Sequence, residues 1–177
     1  MISKPIMGVH TKMTNTTEDD SHIRFGGVNT DLQGPNEVWL STIDEKTWEM
    51  EMSKVSFHGD TLTKNGKVII NPGYPFIGMP TNDFESFKKD VIEAYPDEAV
   101  SCSDIDWCYF VQTCANIKKK MPDMSFTFKG SDGKSQIVKL PPTSFLYDMK
   151  DPRDNLDYCH LGVVGQKFSN SETWILG

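Results

Sequence analysis

The sequence predicts a mainly β fold with one amphipathic helix, and three stretches carry this prediction. In residues 47–53, TWEMEMS, apolar and polar side chains alternate, which is typical of a strand with one buried face. Residues 124–142, MSFTFKGSDGKSQIVKLPP, hold two β-rich runs around a Gly-Ser-Asp-Gly turn, which predicts a hairpin. Residues 81–95, TNDFESFKKDVIEAY, carry an apolar stripe at helical spacing.

Two of these stretches, the helix and the first strand, predict which residues are buried and which residue caps the helix. In the helix, Asn82 is the expected N-cap because Glu85 follows three residues later, as in a capping box. The side chains expected to be buried are Trp48, Met50 and Met52 in the strand, and Phe84, Phe87, Val91, Ile92 and Tyr95 in the helix.

Composition argues against several classes of function. A chain of 177 residues with 37% hydrophobic and 24% charged residues suits one globular domain. The net charge of -7 argues against a nucleic-acid partner. No stretch approaches the ~20 apolar residues of a membrane span. The N-terminal MISKPIMGVH lacks the hydrophobic core of a signal peptide. No cofactor is expected.

The cysteines allow several interpretations. Cys102, Cys108, Cys114 and Cys159 permit three pairings if oxidised, and buried free thiols are an alternative. A zinc site is disfavoured because structural sites usually contain closely spaced Cys pairs, which this spacing lacks. No metal is expected.

A polar residue interrupts an apolar run in KVIINPGYPFIGMP, residues 67–80. Asn71 follows the apolar residues and precedes Pro72 and Gly73, as when a strand delivers one polar side chain to a tight turn. The simplest interpretation is that Asn71 satisfies local backbone groups, as Asn does in many turns.

The turn and its flanks resemble the pepsin-like aspartic proteases, in which a strand, a turn with the pattern Asp-Thr/Ser-Gly-Thr-Ser, an apolar run and a helix follow one another. The resemblance covers nearly the whole chain, from about Met7 to Gly177, and rests on segments in the family's order. These are IRFGGVNTDLQG, WEMEMSKVSFHGDTL, VSCSDID, MPDMSFTFKG, KLPPTSFLYD, YCHLGV and ETWILG.

The resemblance implies a single pepsin-like C-terminal lobe over residues 1–177, β-barrel-like with short helices. It also implies that the N-terminal lobe and the final strands of the fold are missing. The family's pairing joins Cys102 to Cys159, which leaves Cys108 and Cys114 for a local second bridge. The family is secretory or lysosomal, but the chain shows no signal peptide, so the compartment stays open.

At the turn, the sequence departs from the family's pattern. Asn71 stands at the position of the catalytic aspartate, and Pro72 replaces a residue whose hydroxyl and amide join the two lobes. Tyr74 and Pro75 replace the small Thr-Ser pair, and Gly73 alone is kept, as the turn's backbone is expected to require. No intact catalytic residue is therefore expected at Asn71, Pro72 and Gly73.

These departures predict a non-catalytic lobe that serves as a binding or structural subunit. The alternative is a fragment, or one chain, of an aspartic endopeptidase. A β-rich module unrelated to pepsins is a third alternative. If the final strands are absent, backbone around Ile69, Ile70, Ile175 and Leu176 forms an open edge. A protein partner, either an N-terminal lobe or an assembly subunit, is expected to complete the sheet there.

Overall fold

The computed structural model describes residues 5–10, 21–32, 38–43, 45–103, 107–166 and 172–177. The chain divides into two compact units, residues 1–38 and residues 39–177. A single lobe over residues 1–177 stays a prediction.

The first unit contains a two-stranded antiparallel sheet. Strand β1, Met7–His10, pairs with β2, His22–Phe25. The Gly26 amide donates to the Ile6 carbonyl at 2.7 Å, and Gly26 has a φ of 86°, a left-handed conformation that glycine adopts without steric cost. A short 3-10 turn follows at Thr30–Leu32.

Among its described residues, the second unit is mainly β with two short helices. Its strands are β3 (Glu49–Phe57), β4 (Asp60–Ile70), β5 (Ile77–Pro80), β6 (Val100–Ser103), β7 (Trp107–Phe110), β8 (Met124–Lys129), β9 (Ser135–Leu140), β10 (Leu146–Lys150), β11 (Asp157–Leu161), β12 (Val163–Gln166) and β13 (Thr173–Leu176). Its helices are α1 (Thr81–Ala94) and α2 (Cys114–Ile117). Neither helix of the described chain has the length and apolar character needed to cross a membrane.

The strands that the structure describes in this unit form two sheets. The larger has seven strands in the order β12-β5-β13-β4-β3-β8-β9, and the smaller has four in the order β10-β11-β7-β6. The hairpin predicted for residues 124–142 is confirmed as β8 and β9, joined through Gly133 at a φ of 79°.

Strand β3 carries the predicted buried face, with a correction. Met50 and Met52 are buried as expected, whereas Trp48 lies just before the strand and is 47% exposed. Between Met52 and Lys54 the register with β8 shifts, so that two residues of β3 oppose one of β8. This β-bulge resets the alternation and brings the apolar residues that follow into the core.

Helix α1 begins directly after β5 and buries most of the predicted stripe. Phe84, Phe87, Val91 and Tyr95 are buried, but Ile92 is 47% exposed because it lies one residue, about 100°, around the helix from Val91. The predicted Asn82 cap is wrong: Pro80 occupies the N-cap position without a side-chain cap, which places Asn82 inside the first turn.

The prediction of an open edge around Ile69, Ile70, Ile175 and Leu176 is wrong. Strand β13 pairs in parallel with β4, where it aligns Ile175 with Ile69 and Leu176 with Ile70. On its other side β13 pairs antiparallel with β5. The chain therefore closes its own sheet here, and the edges of the seven-stranded sheet among the described residues are β12 and β9.

The predicted bridges Cys102–Cys159 and Cys108–Cys114 are also wrong. The structure joins Cys102 to Cys108 and Cys114 to Cys159, with Cα–Cα distances of 4.1 and 4.7 Å. Cys102 lies directly opposite Cys108 in the antiparallel pair of β6 and β7. Helix α2 contacts β11, which brings Cys114 to Cys159. The first bridge thus follows from the pairing of β6 with β7 and the second from the contact of α2 with β11, and the sequence pattern revealed neither.

The polar side chains of Thr63 and Asp83 meet the indole of Trp174, which is fully buried. The Trp174 indole Nε1 donates to Thr63 Oγ1 and to Asp83 Oδ2, each at 3.0 Å, and the Thr63 hydroxyl also donates to Asp83. Burial raises the pKa of the Asp83 carboxyl, although the hydrogen bonds from Thr63 and Trp174 act in the opposite direction. This network fixes β13 against β4 and the first turn of α1.

The two disulfides should contribute unequally to stability. Replacing both Cys114 and Cys159 by alanine should lower the free energy of unfolding by about 4 kcal/mol, because the bridge spans a separation of 45 residues. Removing Cys102 and Cys108 together should cost about 2 kcal/mol, since only 6 residues separate them. Urea unfolding measures both. Non-reducing chymotryptic mapping that finds Cys102 linked to Cys159 would contradict the pairing.

Backbone amides of Val68–Ile70 and Thr173–Leu176 should exchange slowly with solvent in the isolated chain. Their strands lie in the interior of the seven-stranded sheet, with a neighbouring strand on each side. Hydrogen exchange followed by mass spectrometry tests this, with the edge strand β9 as the faster comparator. Exchange of Thr173–Leu176 as fast as in an unfolded peptide would mean that β13 is not docked.

Replacing Asp83 by asparagine should change how stability depends on pH. Because the native state holds the Asp83 proton more tightly than the unfolded chain does, wild-type stability should fall relative to Asp83→Asn as pH rises above the unfolded pKa of about 3.9. Above the raised native pKa the difference becomes constant. Urea unfolding of both proteins at several pH values measures this difference, and a difference that is independent of pH contradicts the prediction.

Candidate functional site: the Asn71 turn and the aromatic row

The Asn71 turn joins β4 to β5 and is tied to β13. The Asn71 amide donates to the Leu176 carbonyl at 2.7 Å, which extends the pairing of β4 and β13 by one bond. The Asn71 carbonyl accepts from the Tyr74 amide at 2.9 Å and closes a four-residue turn. Pro72 occupies the second position of this turn, where its fixed φ is favourable.

The Asn71 side chain is used within the turn. Its Oδ1 accepts a hydrogen bond from the Gly73 amide at 3.2 Å, the arrangement of an Asx turn. Asn71, Pro72 and Gly73 are all exposed. The interpretation that Asn71 satisfies a local backbone group is therefore confirmed, and the residue is exposed to solvent.

The expectation that the backbone requires glycine at Gly73 is wrong. Gly73 has no positive φ, and a Cβ there would meet only Asn71 Oδ1, at an ordinary 3.4 Å. The backbones approach most closely at Gly177, where a Cβ would lie 1.7 Å from the Tyr74 carbonyl oxygen. Any side chain at Gly177 would push the turn away from β13.

Gln166 covers the start of β5. Its Nε2 would lie 1.6 Å from a Cβ at Gly78 and donates to the Tyr74 hydroxyl at 2.7 Å. Its backbone carbonyl accepts from the Thr81 hydroxyl at 2.9 Å. Its Oε1 is buried without a hydrogen-bond partner among the described residues. Tyr74 and Gln166 thus close over the strand that follows the turn.

A row of aromatic rings leads from the turn to the smaller sheet. The centroids of Tyr74 and Phe76 lie 6.1 Å apart, those of Phe76 and Trp107 5.4 Å, and those of Trp107 and His160 5.5 Å. These ring pairs meet edge to face, a favourable aromatic geometry. We call Tyr74, Phe76, Trp107 and His160 the aromatic row.

His160 ends the row on one face of the four-stranded sheet. Its ring stacks with Tyr147 on β10 and Tyr109 on β7, residues that flank it in the strand register. The Trp107 indole can only donate, so His160 Nδ1, at 2.6 Å, must accept, and the proton lies on Nε2. Burial lowers the pKa of His160, which favours this neutral form.

A cavity of about 670 Å³ opens beside His160 at the tip of the β10–β11 hairpin. We call it the hairpin cavity; its lining residues are Tyr109, Met149, Lys150, Asp151, Pro152, Arg153, Asp154, Tyr158 and His160. This volume is typical of small-molecule sites. Among the described residues, no cluster of three or more His, Cys, Asp or Glu side chains is arranged to hold a metal ion.

The sequence predicted the Asn71 turn but did not predict the aromatic row or the hairpin cavity. Trp107 and Tyr109 lie in WCYF, a short run rich in aromatic residues that carried a usable strand signal. Their partners lie about fifty residues further along the chain, in DYCHL. Only the pairing of β7 with β11 brings the two stretches together.

Comparison with known proteins agrees with this architecture. Residues 1–177 match the family model of the eukaryotic aspartyl proteases. The chain is 23% identical to pepsin II-2/3 of Oryctolagus cuniculus and 21% identical to pepsin A of Canis lupus familiaris, over 184 aligned residues in each case. Each match covers the whole chain but only 41% of the relative's length. The chain belongs to the eukaryotic aspartyl protease family.

Proposed function

We propose that this chain is a non-catalytic pepsin-like lobe that serves as a binding or structural subunit of a larger assembly. The observation that carries the proposal is that an asparagine, Asn71, follows β4 at the turn; the resemblance to the family assigns its catalytic aspartate to this position. On this correspondence, the chain keeps the family's fold around the turn but lacks the carboxyl group that would do the chemistry.

The chemistry of the family requires two neighbouring carboxyl groups that share a proton. One is ionised and activates water, and the other is neutral and polarises the scissile carbonyl. The Asn71 amide can donate and accept hydrogen bonds but cannot exchange a proton near neutral pH. A second lobe that supplied its own aspartate would face this amide, and the shared proton would have no second carboxylate.

The surroundings of Asn71 support the same proposal. Its Oδ1 already accepts from the Gly73 amide, and Pro72 has neither the hydroxyl nor the amide through which the family's turns join. Tyr74 places an aromatic ring near the turn, where its hydroxyl accepts a hydrogen bond from Gln166. These groups suit a packed surface better than a water-filled catalytic centre.

The proposed partner is a second pepsin-like lobe, in the same polypeptide or in another chain. The match to only 41% of the relatives' length supports this. Because β13 is paired on both sides, the strand edge nearest the turn is β12, which neighbours β5. A partner that extends the sheet would add there, by main-chain pairing.

The alternative function is a fragment, or one chain, of an aspartic endopeptidase. The partial coverage of the pepsins favours this alternative, because an active member of the family needs both lobes. Sequencing the full-length transcript distinguishes the non-catalytic subunit from the endopeptidase, because it shows whether a lobe with its own catalytic aspartate adjoins this one. An adjoining Asp-Thr-Gly lobe whose complex with this chain cleaves peptides would establish the endopeptidase.

The purified chain should show no peptidase activity between pH 3 and pH 8, because Asn71 supplies no carboxylate. A quenched fluorescent peptide with and without pepstatin measures this, and dog pepsin A provides the positive control. Turnover by the wild-type chain that pepstatin blocks would refute the non-catalytic proposal.

Asn71→Asp alone should remain inactive, since a single carboxylate has no neighbour with which to share its proton. Asn71→Asp with Pro72→Thr in the same chain is the matched comparison, because it restores the hydroxyl as well. Cleavage by either variant would mean that two copies of the lobe associate into a working pair of carboxylates.

A further inference from the structure

The two disulfides differ in their access to solvent. Cys114 and Cys159 both have 0% exposure, so the bridge between them is buried on each side. Cys108 is equally buried, but its partner Cys102 is only half-buried and lies on β6, the edge strand of the four-stranded sheet. Because a thiolate attacks a disulfide only at a sulfur that it can reach, the bridge of Cys102 with Cys108 is the more accessible one.

The disulfides also differ in how strongly folding protects them. We call Cys102–Cys108, with a sequence separation of 6, the short bridge, and Cys114–Cys159, with a separation of 45, the long bridge. In the chain-entropy model, a bridge stabilises the folded state more when it closes a longer loop. This coupling is reciprocal, so folding in turn protects the long bridge more strongly against reduction. The equilibrium constant for reduction should therefore be about twentyfold larger for the short bridge.

The short bridge holds the end of β7 that carries Trp107. The strand register between β7 and β11 begins at Tyr109, so that Trp107 and Cys108 pair with β6 alone. Trp107 also donates a hydrogen bond to His160 Nδ1, and its ring meets that of Phe76 edge to face. The short bridge thus fastens the strand end that supplies the middle of the aromatic row.

We propose that the short bridge is a thiol–disulfide exchange site, which a dithiol reductant opens while the long bridge stays closed, and that its opening releases Trp107 from the aromatic row. Nothing in this proposal depends on the proposed function. It adds a redox-sensitive site that lies away from the Asn71 turn but is linked to it through the ring of Phe76.

The exchange proceeds in two steps. A thiolate of the reductant attacks the sulfur of Cys102 and forms a mixed disulfide, while Cys108 leaves as a thiolate and takes a proton from solvent. The second thiolate of the reductant then attacks the reductant's own sulfur in the mixed disulfide and displaces Cys102, which is protonated in turn. The protein gains two electrons, and the dithiol becomes a disulfide.

Equilibration of the full chain with mixtures of reduced and oxidised dithiothreitol tests the order of reduction. At each ratio the thiols are trapped by alkylation and located by mass spectrometry. Cys102 and Cys108 should be alkylated at a ratio of reduced to oxidised reagent about twentyfold lower than the one that exposes Cys114 and Cys159. Opening of the long bridge first, or of both bridges at the same ratio, would overturn the proposal.

The indole N–H signals of an isotope-labelled chain show by NMR whether Trp107 is released. Trp107→Phe identifies its signal, and Trp174, which is buried and bonded to Thr63 and Asp83, provides the internal control. Opening the short bridge should make the Trp107 indole proton exchange with solvent about tenfold faster, which corresponds to the loss of one hydrogen bond. The Trp174 signal should not change. An unchanged Trp107 signal in the chain with an open short bridge contradicts the proposed release.

Variants separate the bridge from the strand that carries it. Cys102→Ser combined with Cys108→Ser should shift the Trp107 signal to the position reached on reduction, and added reductant should then cause no further change. The matched control is Ser101→Ala, next to Cys102 on β6, which should leave the signal in place. Circular dichroism confirms that each variant folds. A further shift of the double variant on reduction, or an equal shift in Ser101→Ala, would mean that the short bridge does not control Trp107.

Discussion

The structure depends on the position of β13 in the middle of the larger sheet. This four-residue strand runs parallel to β4 and antiparallel to β5, so that it joins two strands that the chain connects only through the Asn71 turn. Its Trp174 is buried and hydrogen-bonded to Thr63 on β4 and Asp83 on α1. These bonds hold β13 in register with β4 and hold its indole ring in the core. The Leu176 carbonyl then holds the Asn71 amide. Without β13, the turn would have no fixed place.

The turn is held by hydrogen bonds of the backbone, so its position depends little on the side chains it carries. The Asn71 amide-to-Leu176 bond does not depend on the residue type at position 71. Tyr74 and Phe76, next to this turn, begin the row of rings that ends at His160. The scaffold and the aromatic surface beside the turn are therefore set by different parts of the chain.

The sequence predicted the elements whose signal is local. The β8–β9 hairpin and most of the buried stripe of α1 follow from periodicity and turn residues within about twenty positions. The sequence also predicted the Asn71 turn, because a polar residue followed by Pro-Gly between two apolar runs is a local turn signal. The Asn82 cap failed because β5 runs directly into the helix, so that Pro80 occupies the cap position.

By itself, the sequence determined a mainly β chain, its family and the absence of an aspartate at position 71. The tertiary structure alone decided which strands become neighbours, and with them the cysteine pairing, the closed edge at β13 and the hairpin cavity. Cys114 meets Cys159, and Tyr109 meets His160, only because α2 and β7 both lie against β11. The physical reason is that the backbone N–H and C=O groups are the same in every strand, so hydrogen bonding alone does not select which strands pair. The outcome depends on burial across the whole core rather than on any one segment.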